Sequence, residues 1–208
     1  MRTLHVVVHP EATHHVNGVV GGWHDSDLTP LGKTHAAAIA QAVFDTVPPE
    51  AKVLVTTSDL RRTRQTAEPI AARLGVEENV DPRLREKSYG VAEGRPQAWL
   101  DERFVPPPPV GDRMGHDEGV AGAETKTAFA RRIYAAVEDL LGHEHEHQVI
   151  VTHGFALTFM IAAFTRLPIE ALGYITFRSS PGGITTLRED DYFHNRQVVR
   201  LNDRSHLA

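Results

Sequence analysis

Two short runs of mostly β-branched residues, each ending in a histidine, constrain this chain more than any other feature. Leu4-His5-Val6-Val7-Val8 leads into His9, and Val149-Ile150-Val151-Thr152 leads into His153. Both runs are too short for independent helices and read as buried strands. In an open α/β sheet, ligands bind beyond the carboxyl ends of parallel strands. Two imidazoles delivered there by sequence-distant strands read as a site rather than as two structural histidines.

The rest of the chain supplies the elements such a sheet needs. Thr29-Pro30 reads as an N-cap and first-turn proline, opening a helix that runs to about Phe44. Val53–Thr56 is a second strand. Ser58 is the expected cap of a helix that begins at Asp59-Leu60 and ends at Leu74, before Gly75. Pro69 inside it marks a kink or a new turn. A short strand is expected near Val80. A helix over Glu124–Leu141 carries Phe129, Ile133, Val137 and Leu140 as an apolar stripe. A helix over Phe155–Phe164 follows the second histidine. Two final strands, near Ile184–Leu187 and Gln197–Leu201, flank a polar turn and read as a hairpin. Strands alternating with helices imply a mainly parallel sheet covered on both faces, a three-layer α/β/α sandwich.

The segment from Glu86 to Ala123 is less regular. It holds Pro106 to Pro109, several glycines and one helical piece near Gln97–Arg103. A long connection of this kind reads either as a lid, over about residues 95–123, or as a surface insertion. No linker divides the 208 residues, so one domain is expected.

Composition excludes several classes. The net charge of −5 gives no general attraction to nucleic acid or an anionic membrane. The absence of cysteine removes disulfides, thiol catalysis and thiolate zinc sites. The longest apolar stretch, about Phe155 to Phe164, is too short to span a bilayer. Met1-Arg2-Thr3 enters a strand directly, with no secretory apolar region, so a cytoplasmic location is expected.

After the second strand, Ser58-Asp59-Leu60-Arg61-Arg62-Thr63-Arg64 places three arginines in the first turns of a helix, where cations oppose the helix dipole. Either this is a solvated basic face, or one arginine turns to hold an oxyanion or phosphate. Arg62 is the choice for that role, although spacing alone does not separate it from Arg61.

With these pieces in order, the chain resembles the histidine phosphatase superfamily, or phosphoglycerate mutase-like family, over nearly its whole length. The matching motifs are His9 with Glu11-Ala12-Thr13, Leu28-Thr29-Pro30-Leu31-Gly32, Ser58 to Ala67, Leu84-Arg85-Glu86 through Glu93-Gly94-Arg95, Gly122-Ala123-Glu124-Thr125, Thr152-His153-Gly154, and the tail Leu201-Asn202-Asp203 with Ser205-His206-Leu207. The resemblance implies a phosphoglycerate mutase-like fold and hydrolysis of a small phosphomonoester through a phosphohistidine. His9 would attack phosphorus, Arg62 and His153 would neutralise the equatorial oxygens, and Glu86 would act as acid and then base. His15, Thr13 and Gly154, with Arg62, would bind substrate. No metal or other cofactor is implied, and a homodimer is a family-level expectation. Hydrolysis fits this short chain better than mutase activity does.

The chain also departs from the family pattern. Val8-His9-Pro10 stands in place of Arg-His-Gly. Loss of that arginine implies a His9 that is protonated to higher pH. It also removes a charge-assisted contact worth about 2–4 kcal/mol in the transition state. His15 stands where such enzymes often carry a phosphate-contacting asparagine, and could replace part of the lost charge. Ala92 stands where tryptophan is common, implying a wider pocket. These departures leave two alternatives open. One is a repurposed pocket, including a metal site built from His9, His14, His15, His24, Glu86 and His153. The other is a weak binding protein. His143-Glu144-His145-Glu146-His147 reads as a solvated loop or, if extended, as donors at i, i+2 and i+4 on one side that could bind a transition metal. Arg103 and Arg113 could read a second anionic group or simply be solvated.

Overall fold

The computed structural model describes residues 1–208. Six strands form one sheet in the order β3-β2-β4-β1-β5-β6. They are β1 (Arg2–Val8), β2 (Val53–Thr57), β3 (Glu78–Val80), β4 (His147–Thr152), β5 (Ile184–Glu189) and β6 (Arg196–Asp203). β1, β2, β3 and β4 run parallel, and β5 pairs antiparallel with both β1 and β6. The expected terminal hairpin is therefore present. β4 lies between β1 and β2, and its register sets Val8 beside Thr152. The loops that carry His9, Ser58 and His153 therefore leave three neighbouring strand ends.

The chain forms six α-helices, of which α2, α3, α5 and α6 flank this sheet: α1 (Thr13–Val16), α2 (Pro30–Thr46), α3 (Arg61–Leu74), α4 (Gln97–Asp101), α5 (Lys126–Gly142) and α6 (Gly154–Phe164). Strand side chains alternate between faces, and both faces of this sheet are covered. Leu4, Val6 and Val8 pack in one core with Phe129, Ile133, Leu157 and Phe159 of α5 and α6. Val7, Val149 and Val151 pack in the other with Ile39, Val43, Ala67 and Ile70 of α2 and α3. This is why Val6–Val8 of β1 and Val149–Val151 of β4 are apolar without alternation. No helix is long and apolar enough to cross a membrane.

Local chemistry explains most of the boundaries. Thr29 Oγ1 accepts from Gly32 N at 3.0 Å, and Pro30 opens α2. A Cβ on Gly32 would lie 2.0 Å from the Glu11 carbonyl oxygen, so this helix needs glycine to approach the His9 loop. Gly75 ends α3 in the left-handed region at φ 69°. Two expectations for α3 fail. The helix starts at Arg61 rather than Asp59, with the Ser58 hydroxyl shared between Leu60 N at 3.4 Å and His153 Nε2 at 3.1 Å, and it runs uninterrupted through Pro69.

Residues 95–123 are neither a loose insertion nor a wall of the pocket. Val20, Ala92, Leu100 and Val120 form a small core of their own, packed by Tyr89 and Trp99. Lys87, fully buried, pairs with the buried carboxylate of Glu118. Ala92 is thus consumed in this core, and the expectation that it widens the pocket is not met.

Candidate active site

A cavity of about 250 Å³ opens at the carboxyl ends of β1 and β4. His9, His15, Glu86, His153 and Gly154 line it, together with His14. Five of the residues singled out in the sequence therefore converge on one cleft. No residue of the 95–123 segment lines it, so that segment acts from behind, through Lys87 and Tyr89. Thr13 does not line it either; it opens α1, and its backbone N–H donates to the Asp27 carbonyl at 2.8 Å.

His9 follows β1 and is held at both ring nitrogens. Nδ1 is 2.8 Å from the Pro10 carbonyl, which can only accept, so Nδ1 carries the proton. Nε2 is then the lone-pair nitrogen, and Arg62 Nε donates to it at 3.2 Å. The two other Arg62 nitrogens donate to the carbonyls of Gly22 and His24, both at 2.7 Å. Arg62 is thus separated from its neighbour. Arg61 is exposed and paired with Asp25 and Asp27. Burial lowers the Arg62 pKa to about 10, which leaves it charged at neutral pH.

Burial first, and then Arg62, hold the His9 pKa well below its ordinary value. Even with valine at position 8, His9 is therefore held as a neutral imidazole by its buried setting and by the guanidinium of Arg62. His15 stacks on His9 with ring centroids 5.6 Å apart and accepts from Ala12 N through Nδ1 at 3.2 Å. Burial lowers its pKa too, so it offers an Nε2–H dipole rather than a replacement charge.

His153 caps the start of α6, fully buried, with Nε2 3.1 Å from Ser58 Oγ and Nδ1 unpartnered. Burial again lowers its pKa well below the ordinary value. Its ring centroid is 5.2 Å from that of His9.

Glu86 reaches the same helix start. Its carboxylate accepts from Phe155 N at 2.9 Å, Ala156 N at 3.2 Å and Lys87 N at 2.9 Å. Those bonds favour the ionised form, but burial outweighs them and pushes the Glu86 pKa above its ordinary value. Arg132 fixes the loop by donating to the carbonyls of Arg83, Arg85 and Glu86, and Trp23 Nε1 donates to the last of these at 2.8 Å. Sequence reading missed Ser58 as a partner of His153, and missed Arg132 and Trp23. Each acts through a fold-dependent contact with no sequence spacing. The imidazole cluster offers no metal centre, because no three histidine or carboxylate side chains are arranged to hold one ion.

A family model for the histidine phosphatase superfamily, branch 1, matches residues 4–204. The Hydrogenobacter thermophilus protein named "Putative phosphoserine phosphatase 2" is 28% identical over 219 residues, which cover 99% of this chain and 98% of that protein. The Yersinia pestis protein named "Probable phosphoglycerate mutase GpmB" is 29% identical over 214 residues, covering 100% and 95%. Among solved structures, a mycobacterial glucosyl-3-phosphoglycerate phosphatase superposes with a TM-score of 0.79 at 25% identity, covering 98% and 99% of the two chains. Bacillus stearothermophilus YhfR gives 0.79 at 25% identity over the full length of both. Motif order, sheet topology and the match across almost every residue agree: the chain belongs to the histidine phosphatase superfamily, branch 1.

Proposed function

We propose that this protein hydrolyses a small phosphomonoester through a phosphohistidine at His9. The observation that carries the reading is the fixed tautomer of His9, with its proton on the Pro10 carbonyl side and its lone pair beside Arg62. A buried neutral imidazole is a nucleophile at neutral pH without prior deprotonation.

In the first step the Nε2 lone pair forms a bond to phosphorus as the bond to the ester oxygen breaks. The Arg62 Nε–H shifts from Nε2 to an equatorial oxygen. The Ser58 hydroxyl donates to His153 Nε2, which leaves a proton on the otherwise unpartnered Nδ1 for a second oxygen. Protonated Glu86 gives its proton to the departing alkoxide. In the second step the Glu86 carboxylate takes a proton from water, the water oxygen attacks phosphorus, and the P–N electron pair returns to His9. These residues supply the charge stabilisation themselves. The cavity, at about 250 Å³, suits a small ester.

Hydrolysis of a generic aryl phosphate across pH tests this directly. Activity is lost as pH falls through the depressed His9 pKa, because the nucleophile becomes protonated. It is lost again as pH rises through the raised Glu86 pKa, because the acid loses its proton. The kcat/KM optimum is therefore expected on the acidic side of neutrality. A kcat/KM still climbing from about pH 7 to 9 would assign the acid elsewhere.

Val8→Arg separates a retuned pocket from an ordinary one. Val8 lines the cavity and its side chain packs in the α5/α6 core. A guanidinium there adds an oxyanion contact, so folded Val8→Arg is expected to gain about 10²-fold in kcat/KM, with the acidic limb moved lower. An unchanged rate in a variant with native circular dichroism would show that the missing arginine does not limit catalysis.

A further inference from the structure

Arg62 Nε–H and His153 Nδ1–H serve two of the three equatorial oxygens, and the third has no cation to turn to. No lysine or arginine lines the cleft, and the two other Arg62 nitrogens are held by the Gly22 and His24 carbonyls. Arg103 and Arg113, considered for a second anionic group, are engaged elsewhere. Arg113 donates to the Gly173 and Pro108 carbonyls, and Arg103 donates to the Trp99 carbonyl and pairs with Glu102. Val8 lines the cleft without a donor of any kind. The third oxygen therefore falls to neutral groups.

His14 lines the same cleft, with its ring centroid 5.9 Å from that of His9 and 4.0 Å from that of His15. Gly21 leaves it that place. No left-handed backbone requires glycine at position 21, but a Cβ there would lie 3.0 Å from both Cδ2 and Nε2 of His14. Ser26 decides which ring nitrogen carries the proton. His14 Nδ1 lies 2.7 Å from Ser26 Oγ, a buried hydroxyl with no other hydrogen bond. If Nδ1–H donated to it, the hydroxyl proton would be buried without an acceptor, at the full cost of an unmade bond. The Ser26 hydroxyl therefore donates, Nδ1 accepts, and the His14 proton sits on Nε2, which has no partner within the protein. Burial, followed by His15 and Arg62, lowers the His14 pKa to about 3, so the ring offers an N–H and no charge. His15 has the same tautomer, since its Nδ1 accepts from Ala12 N.

We propose that His14 is a substrate-binding residue, whose Nε2–H donates to the third equatorial oxygen beside the Nε2–H of His15. The nature of the bound group rests on the phosphatase reading. Two neutral imidazoles then stand in the cleft where Val8 supplies no cation.

The test uses the full chain, with inorganic phosphate as the probe. In wild type, long-range proton–nitrogen correlation of the histidine rings is expected to place the His14 proton on Nε2 and to show its resonance moving with phosphate. Calorimetric phosphate affinity is expected to fall about 10- to 100-fold in His14→Phe, which keeps a planar ring but no donor. His14→Gln, whose amide N–H takes the place of Nε2–H, should recover most of it. A packing role alone would weaken both variants alike, and that outcome overturns the proposal. So do a His14 proton on Nδ1, wild-type affinity in His14→Phe, and no phosphate binding by wild type. The two readings fail separately, because neither measurement needs turnover. Wild type that shows both signatures but leaves aryl phosphate intact removes only the phosphatase reading. Turnover that depends on His9, with phosphate affinity unchanged in His14→Phe, removes only the role of His14.

Discussion

His9→Ala is expected to lower aryl phosphate turnover by about 10⁵–10⁶-fold, the scale seen when a covalent nucleophile is removed. The loss falls on kcat, because His9 Nε2 is the lone-pair nitrogen set beside Arg62. His14 and His15 stand close by, but each has a ring nitrogen engaged elsewhere, with Ser26 Oγ at 2.7 Å and Ala12 N at 3.2 Å. Burial lowers His14 to about 3. The fold should survive the change, since Arg62 keeps its bonds to the Gly22 and His24 carbonyls. A loss smaller than about tenfold would mean that His9 is not the nucleophile.

Lys87→Met is expected to cost about 3–5 kcal/mol of stability, the penalty for leaving a buried charge without its partner. Lys87 is 0% exposed and Glu118 5%. The Glu118 carboxylate accepts from no other group, and Glu118 holds a left-handed backbone at φ 58°. The double variant Lys87→Met/Glu118→Leu should recover most of the loss, because it removes both charges from the interior. Urea unfolding checks both. A single variant within about 1 kcal/mol of wild type would show that the pair is dispensable. Because Lys87 follows Glu86, the single variant also loosens the link between the acid loop and the segment behind it.

The parts of this molecule that were legible in the sequence are those written in local chemistry. β1 and β4 declare themselves because both sheet faces are covered, so Val6-Val7-Val8 and Val149-Ile150-Val151 are apolar without alternation. The start of α2 is written in Thr29-Pro30, and the end of α3 in Gly75. His9, Glu86, His153 and Gly154 reach the cleft because strand ends and a helix start bring them there. What was not legible depends on contacts across the fold. Arg61 and Arg62 are neighbours of one type, and only burial against His9 distinguishes them. The neutrality of His9 comes from burial and from a guanidinium 53 positions away in sequence, neither of which the residues beside His9 declare. Thr13 looked like part of the motif, but it is not among the residues that line the cleft. Arg132 resembled an ordinary helix-surface arginine until three carbonyls of the acid loop closed on it. The segment 95–123 carries no strong periodicity, because its small core is assembled from residues as distant as Val20 and Val120.

The central claim is the covalent step, and rapid acid-free quenching tests it most directly. Wild type is mixed with an aryl phosphate labelled in the phosphoryl group, denatured in alkali and digested, and the label is mapped. A label on the peptide that contains His9, stable to base, lost in acid and absent from His9→Ala, is the expected result. Full hydrolytic activity with no label on that peptide, even when the alcohol product appears in a burst, would contradict the account and point to direct attack by water.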